Sequence, residues 1–435
     1  MPRDIAISNP GTGEAGAAAS RLPWLLRGGF GRLFLGQAVS VVGSQVTFLA
    51  LPIAAVFLLG ATPGAMGLLG ALDNLPYLLF GLGVGVLVDR RRRRVLMISA
   101  DLVRAASVGS IPIAYALGRL SFVQLCVVVF IVGASNIVFD VAAQAQMPDL
   151  VAPDRLVSAN ASLQTTASLS TVAGPGLAGQ LIALVGAPMA ILVDAVSYVA
   201  SAAFIRSIHE PEARRAPSEE SARAQIAAGL RHVRSDGRLV GLAGAASTMS
   251  LAVNAIFAVW VYYLATRLGW SAASIGMLYT FVGLSGAAGA VLMPIAAGRV
   301  GIGRVLAAMP IVTALGLAPL PVAVEAGASG TLTDAILVGG SLVFGLGLVS
   351  FAVLSAGLRQ TLAPEAARGR VLGTLRFFEW GSMPIGSLIG GALGQAFGPS
   401  VAIEFGAIAF ATGAAWIVFS PLFSMREPEV EQVRR

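Results

Sequence analysis

The chain contains no lysine: all 29 of its basic side chains are arginines. Cysteine occurs once, at Cys126 within an apolar run, so an intramolecular disulfide is excluded. The only histidines, His209 and His232, fall in the polar middle of the chain, which rules out a histidine proton relay at membrane depth. Charge is scarce too. Charged residues make up 12% of the chain, where a soluble domain carries about 25%, and 56% of the residues are hydrophobic. No phosphate-binding loop, metal cluster or nucleophile–base set stands out, so neither an enzyme nor a resident cofactor or metal is expected. The arginines sit in short links between apolar segments. That placement reads as membrane topology and anionic-lipid contact, not as a nucleic-acid surface.

What the chain has in quantity is long apolar sequence. A membrane-crossing helix needs about 20 mostly apolar residues, within a range of about 17–25. Twelve stretches qualify: 34–59, 65–88, 95–117, 121–141, 159–184, 187–205, 239–264, 272–297, 304–325, 333–356, 371–396 and 400–423. The predicted fold class is an all-α membrane protein with 12 transmembrane helices. The longest interruption, 206–238, holds Pro211, Pro217, seven arginines and five acids, and it separates six spans from six. The expected organisation is a tail over 1–31, a bundle over 32–205, a linker over 206–238, a second bundle over 239–424 and a tail over 425–435. Residues 1–27 lack the uninterrupted apolar core of a signal peptide and read as a flexible cytoplasmic tail.

Orientation follows from the arginines. The stretch 85–94, GVLVDRRRRR, ends the second span and begins the third. Arginine is costly in hydrocarbon and collects on the cytoplasmic side. The links on that side also hold Arg155, Arg299, Arg304, Arg359, Arg368, Arg370 and the arginines of 206–238, whereas the opposite links hold only Arg119 and Arg267. Both termini are therefore expected inside a plasma membrane.

The halves repeat. LVAPDRL (150–156) follows span four and TLAPEAARGR (361–370) follows span ten. Pro175 then falls in span five and Pro384 in span eleven. A parallel repeat of this kind predicts two pseudo-symmetric six-helix bundles with a substrate site between them near the midplane.

These features resemble the major facilitator superfamily. Gly85, Leu87, Asp89, Arg90, Arg93 and Arg94 match its loop signature G-x-L-a-D-r-x-G-r-k, with Arg92 in place of the second glycine. The second-half counterpart, GRVGIGR over 298–304, has lost its acid. Gly174, Pro175, Gly176 and Gly179 are similar to the family's antiporter motif, and the arginine it often places in span four is absent. DLVRA (101–105), MPDLVAPDRLVSANA (147–161), VDAVSY (193–198) and AAGLRHVRSDGRL (227–239) look like the drug and siderophore exporters, the group of macrolide efflux and enterobactin exporters. The resemblance implies a monomeric secondary transporter, proton-coupled, that exports small amphipathic compounds by alternating access. Two alternatives stay open: a lysophospholipid-translocating member of the same family, and a membrane scaffold that transports nothing.

Ionisable residues inside spans each cost a few kcal/mol and need a reason. Asp73 lies about 12 Å from the outer end of span two, with no basic residue in spans one or two beyond Arg32. An acid with no counter-charge in a low-dielectric site suits reversible protonation; its other reading is an acid hydrogen-bonded to Asn74, Gln37 or Gln45. Asp101 and Arg104, at i and i+3, read as an ion pair within span three. Arg376 and Glu379 repeat that spacing in span eleven, which the family fold sets against span two, so Glu379 joins Asp73 as a candidate for proton coupling. Asp140 is placed to hold Arg93 or Arg94. Resemblance makes Asp89 a latch to the N-terminus of span eleven. The glycines and Pro175 at 174–176 read as a helix break. Asp194 and Glu404 read as structural groups near the outer surface. By family analogy, the cavity-lining spans one, four, seven and ten offer Gln37, Gln45, Asn136, Asn254, Phe257, Trp260, Tyr262, Phe344 and Phe351. A mostly apolar, aromatic lining with a few amides suits a bulky hydrophobic or weakly cationic compound.

Overall fold

The apolar runs become helices in the expected order. The computed structural model describes residues 22–81, 83–212, 222–327 and 330–426. The tails at 1–21 and 427–435, and linker residues 213–221, lie outside the described residues. No strand occurs among those described. Span one is Gly28–Leu59, span three Arg93–Ala116, span four Phe122–Leu150, span five Leu156–Val185 and span six Ala187–Arg206. Span seven is Gly237–Thr266, span eight Ala272–Val300, span ten Thr331–Leu362, span eleven Arg368–Phe397 and span twelve Pro399–Val418. Spans two and nine each consist of two helices, Pro63–Phe80 with Val84–Arg90, and Ile302–Leu317 with Pro319–Glu325. Span two is interrupted at Gly81 and Gly83, because glycine holds a helix poorly. Among the described residues, ten helices are long and apolar enough to cross a membrane by length and composition.

Local signals set the helix ends. Thr62 accepts from the Ala65 N–H ahead of Pro63, Ser121 from Gln124 and Ser271 from Ser274, so hydroxyls cap spans two, four and eight. Span one ends on Gly60, whose φ of 61° suits a residue without Cβ. The repeated LVAPDRL and TLAPEAARGR segments become 3-10 turns, Pro153–Arg155 and Glu365–Ala367, that lead into spans five and eleven.

Packing obeys the repeat. In the first half, span one packs on five and six, span three on four and six, and span two on four. Adding six to each number gives the second half: seven on eleven and twelve, nine on ten and twelve, eight on ten. Between the halves, span two packs on eleven and span five on eight, again a related pair. The chain is thus two six-helix bundles related by a pseudo-two-fold axis.

Acids after span six clip the first bundle together on its arginine-rich face. Glu210 accepts from the Gly29 N–H at 2.6 Å, and Glu212 from the N–H groups of Arg93 and Arg94 at 2.9 and 3.1 Å. Both carboxylates therefore sit at helix N-termini, of spans one and three, where the backbone favours an anion. Burial pushes the Glu210 carboxyl up, but the Gly29 and His209 N–H groups and the Arg32 charge outweigh it, and the group lies below the usual glutamate value. The linker helix Ala222–Ser235 belongs to the other half. Its Gly229 backs onto the Arg370 carbonyl and Thr374 of span eleven so closely that a Cβ has no room, and Val233 is buried with Ala363, Ala367 and Val371.

Candidate functional site

A cavity of about 380 Å³ lies between the bundles. Span one contributes Ser44, Gln45, Thr47 and Phe48; span two Met66, Leu69, Asp73 and Asn74; span four Val128, Val132 and Asn136. Asp194 and Tyr198 come from span six, Asn254 and Phe257 from span seven, and Ser387 from span eleven. The first bundle supplies all the ionisable groups. Of the expected lining residues, Gln45, Asn136, Asn254 and Phe257 are on the wall. Gln37 is not, because it lies lower on span one. Trp260 is buried and stacks on Tyr263 at 6.5 Å, and Phe344 and Phe351 are buried in the second bundle, Phe344 against Phe410.

Asp73 faces this cavity and is exposed to it. Among the described residues its carboxylate has neither an ion-pair nor a hydrogen-bond partner; Asn74 instead bonds the Gly70 carbonyl and reaches Asn254 of span seven at 3.4 Å. That amide pair is a polar contact between the bundles beside the acid. One turn further on, Tyr77 meets Trp380 of span eleven edge to face, with ring centroids 5.1 Å apart.

Behind this wall is the ion pair of span three. Asp101 is fully buried and Arg104 5% exposed, and the two are directly bonded. Arg104 Nη1 donates to Asn136 Oδ1 at 2.9 Å, and the guanidinium lies 4.4 Å from the ring centres of both Phe139 and Tyr198. The order of the residues explains the pair. Helical side chains lean toward the N-terminus, so an arginine three residues after an aspartate leans back over it.

The reverse order fails in span eleven. Arg376 precedes Glu379 and leans away; it is exposed and lies 5.8 Å from the Trp380 ring. Glu379 pairs with Arg359 of span ten at 2.5 Å. The expected Arg376/Glu379 pair is therefore replaced by one between helices, and Glu379 is an acid with a counter-charge.

The loop at 85–94 also differs from expectation. Arg93 is held by Asp149 at 2.7 Å, about two and a half turns beyond Asp140 on span four, and by the Ala145 carbonyl at 3.0 Å. Arg94 is bonded to the Arg206 carbonyl. Asp140 is exposed and pairs with neither arginine. Gly85 has open space around it; Asp89 and Arg90 are exposed, and Asp89 has no ion-pair partner among the described residues. Gly369, at the N-terminus of span eleven, likewise stands in open space. The latch surfaces are apart because the bundles are apart on this face. On the opposite half of the molecule they interlock: Gly67 of span two lies against Gly391 and Ser387 of span eleven, Gly64 against Gln395, and Gly179 of span five against Ala272 and Gly276 of span eight. The cleft opens toward the arginine-rich face.

Span five shows no break at 174–176; the helix runs through. Its glycines serve close approach instead, Gly174 to Gln45 of span one and Gly176 to Thr280 of span eight. Sequence reasoning also missed the polar floor of the cavity. Asp194 is fully buried between spans six and one, where Gly43 lets the helices close, and it accepts from Ser44 at 3.4 Å and Ser197 at 3.2 Å. Tyr198 bonds Ser44 at 2.9 Å. The signal was there in GSQVT (43–47), a glycine with hydroxyls spaced to share a helix face.

Two six-helix bundles with a cavity between them have the architecture of a membrane transporter. Residues 33–333 match the Major Facilitator Superfamily model, and the chain belongs to that family. It is 29% identical over 192 residues to the macrolide efflux protein A of Streptococcus pyogenes, a match covering 43% of this chain and 46% of that protein. The match therefore spans less than half of that relative. With the multidrug efflux pump Tap of Mycolicibacterium fortuitum it shares 28% identity over 346 residues, 75% of this chain and 79% of the pump. In fold it is similar to the inward-facing crystal structure of a bacterial homologue of the iron transporter ferroportin, with a TM-score of 0.71 and 20% identity over 89% of this chain and 97% of that one.

Proposed function

We propose that this chain is a proton-coupled exporter of small amphipathic compounds, working as a monomer in the plasma membrane with both termini cytoplasmic. The observation that carries this reading is Asp73, an acid exposed inside a largely apolar cavity with no counter-charge among the described residues. An acid so placed can trade its proton against substrate as the cavity changes sides. Phe48, Met66, Val132 and Phe257 supply apolar surface, and Gln45, Asn136 and Asn254 supply amides. The relatives named as macrolide and multidrug efflux proteins support export. The arginine bias of one face supports the orientation.

In the alternate state the arginine-rich face closes and Asp89 meets the N-terminus of span eleven, where a helix dipole favours an anion. The test is transport by the purified protein in proteoliposomes, with erythromycin and ethidium as probes. Accumulation driven by an imposed pH gradient and abolished by a protonophore is the expected result. Accumulation indifferent to the protonophore removes proton coupling.

The interlock on the far face makes its own prediction. A Cβ on Gly391 would lie 2.6 Å from Gly67 Cα, and backbone cannot swing aside. Gly391→Val is expected to part spans two and eleven there and favour the state closed on the arginine-rich face. On a Cys126→Ser background, alkylation of Gly369→Cys should then slow severalfold. An unchanged rate would mean that the glycine contact does not govern the equilibrium.

A further inference from the structure

The floor of the cavity holds a second acid, in a setting unlike that of Asp73. Asp194 is fully buried, and its two oxygens differ. Oδ1 accepts from the hydroxyls of Ser44 and Ser197; Oδ2 has no partner. Thr47 Oγ1, which faces Asp194 from span one, is also buried without a partner. A buried polar atom left unpaired is rare, and two side by side call for one explanation.

The surrounding charges narrow it. Span one brings only hydroxyls to Asp194, since its one ionisable residue, Arg32, is tied to the Ser207 carbonyl at the far end. Span five contains no ionisable residue. Span six itself offers Tyr198, whose hydroxyl is bonded to Ser44. Span three offers Asp101 and Arg104. Arg93 and Arg94 lie at the far end of that helix, held by Asp149 and the Arg206 carbonyl. Arg104 has its terminal nitrogens committed, one to Asp101 and the other to Asn136, with a ring on either side, and only its buried Nε is without a partner. Among the described residues Asp194 therefore has no cation bonded to it, and a dry carboxylate without one is far costlier than the neutral acid.

We propose that Asp194 is a second proton-binding carboxyl of the transport cycle, holding its proton on Oδ2 and donating it to Thr47 Oγ1 while the cavity floor is closed. This deepens the proton-coupled reading and rests on it for its role in transport. One O–H bond then satisfies both orphaned atoms. The proton is taken from water and returned to water when spans one and six part at Gly43, and no other bond is made or broken. Asp73, open to the cavity, and Asp194, buried in its floor, form two proton sites in the first bundle.

Infrared spectroscopy of the full-length protein in lipid nanodiscs tests the protonation state without any substrate. At neutral pH a carbonyl stretch of a protonated carboxyl, shifted in D2O, should vanish in Asp194→Asn. Thr47→Val should keep that band and move its frequency, because the acceptor is lost; this variant decides the matter if Asp194→Asn does not fold. A spectrum unmoved by the substitutions overturns the proposal. In proteoliposomes, Asp194→Asn should lose accumulation driven by a pH gradient to a far greater extent than it loses substrate exchange. Gradient-driven accumulation equal to wild type overturns the role in transport. If wild type itself ignores the gradient, the proton-coupled reading fails, and the band still decides whether Asp194 holds a proton.

Discussion

Replacing Arg104 with leucine is expected to destabilise the first bundle by about 3–5 kcal/mol, the cost of leaving one member of a buried ion pair alone. The figure follows from what remains. Asp101 is fully buried, and one of its oxygens already lacks a partner. Without the guanidinium the other oxygen loses its bond, Asn136 loses a donor, and the rings of Phe139 and Tyr198 lose the cation between them. Thermal unfolding in detergent should show the loss as a lower midpoint. The double variant Asp101→Asn with Arg104→Leu should recover most of it, since the unpaired charge is then gone. If the two substitutions simply added, the pair would not be the source of the stability.

Asp73→Asn is expected to reduce pH-gradient-driven accumulation to the level of protein-free vesicles while substrate exchange continues. The amide keeps the size and polarity of the side chain and removes only its ability to bind and release a proton. Nothing else in the contact pattern depends on the charge: no cation pairs with Asp73 among the described residues, and the neighbouring contact of Asn74 with Asn254 is between amides. Wild-type transport should vary with the pH on the open side of the cavity, and the variant should not. Full gradient-driven accumulation by the variant would take proton carriage away from this residue.

The fold was legible because a bilayer demands long apolar helices and the demand is written residue by residue in composition. The pairing of Asp101 with Arg104 was legible for a related reason: both partners lie on one helix, and their order sets the direction of lean. Glu379 was not, because its partner Arg359 comes from another helix and spacing carries no information about that. Asp149 takes Arg93 in place of Asp140 because the helix of span four runs on to Leu150, past the expected end at 141, and so carries Asp149 to the start of span three. By sequence depth Asp194 is only a structural group near the outer surface. Its burial depends on Gly43, whose missing Cβ lets span six press against span one. Trp260 stands on a helix that lines the cavity, but on its packed face, and a weak apolar periodicity did not separate the two faces.

The acids of this chain sort into two kinds by what holds them. Glu210, clipped to the start of span one, lies below the usual glutamate range, so its contribution is complete above the ordinary glutamate pKa and fades only as pH falls through its lowered value. Acidification therefore protonates that clip later than an ordinary glutamate. The hem of the first bundle is thus fastened by an acid that gives up its charge late as the medium on that face turns acidic.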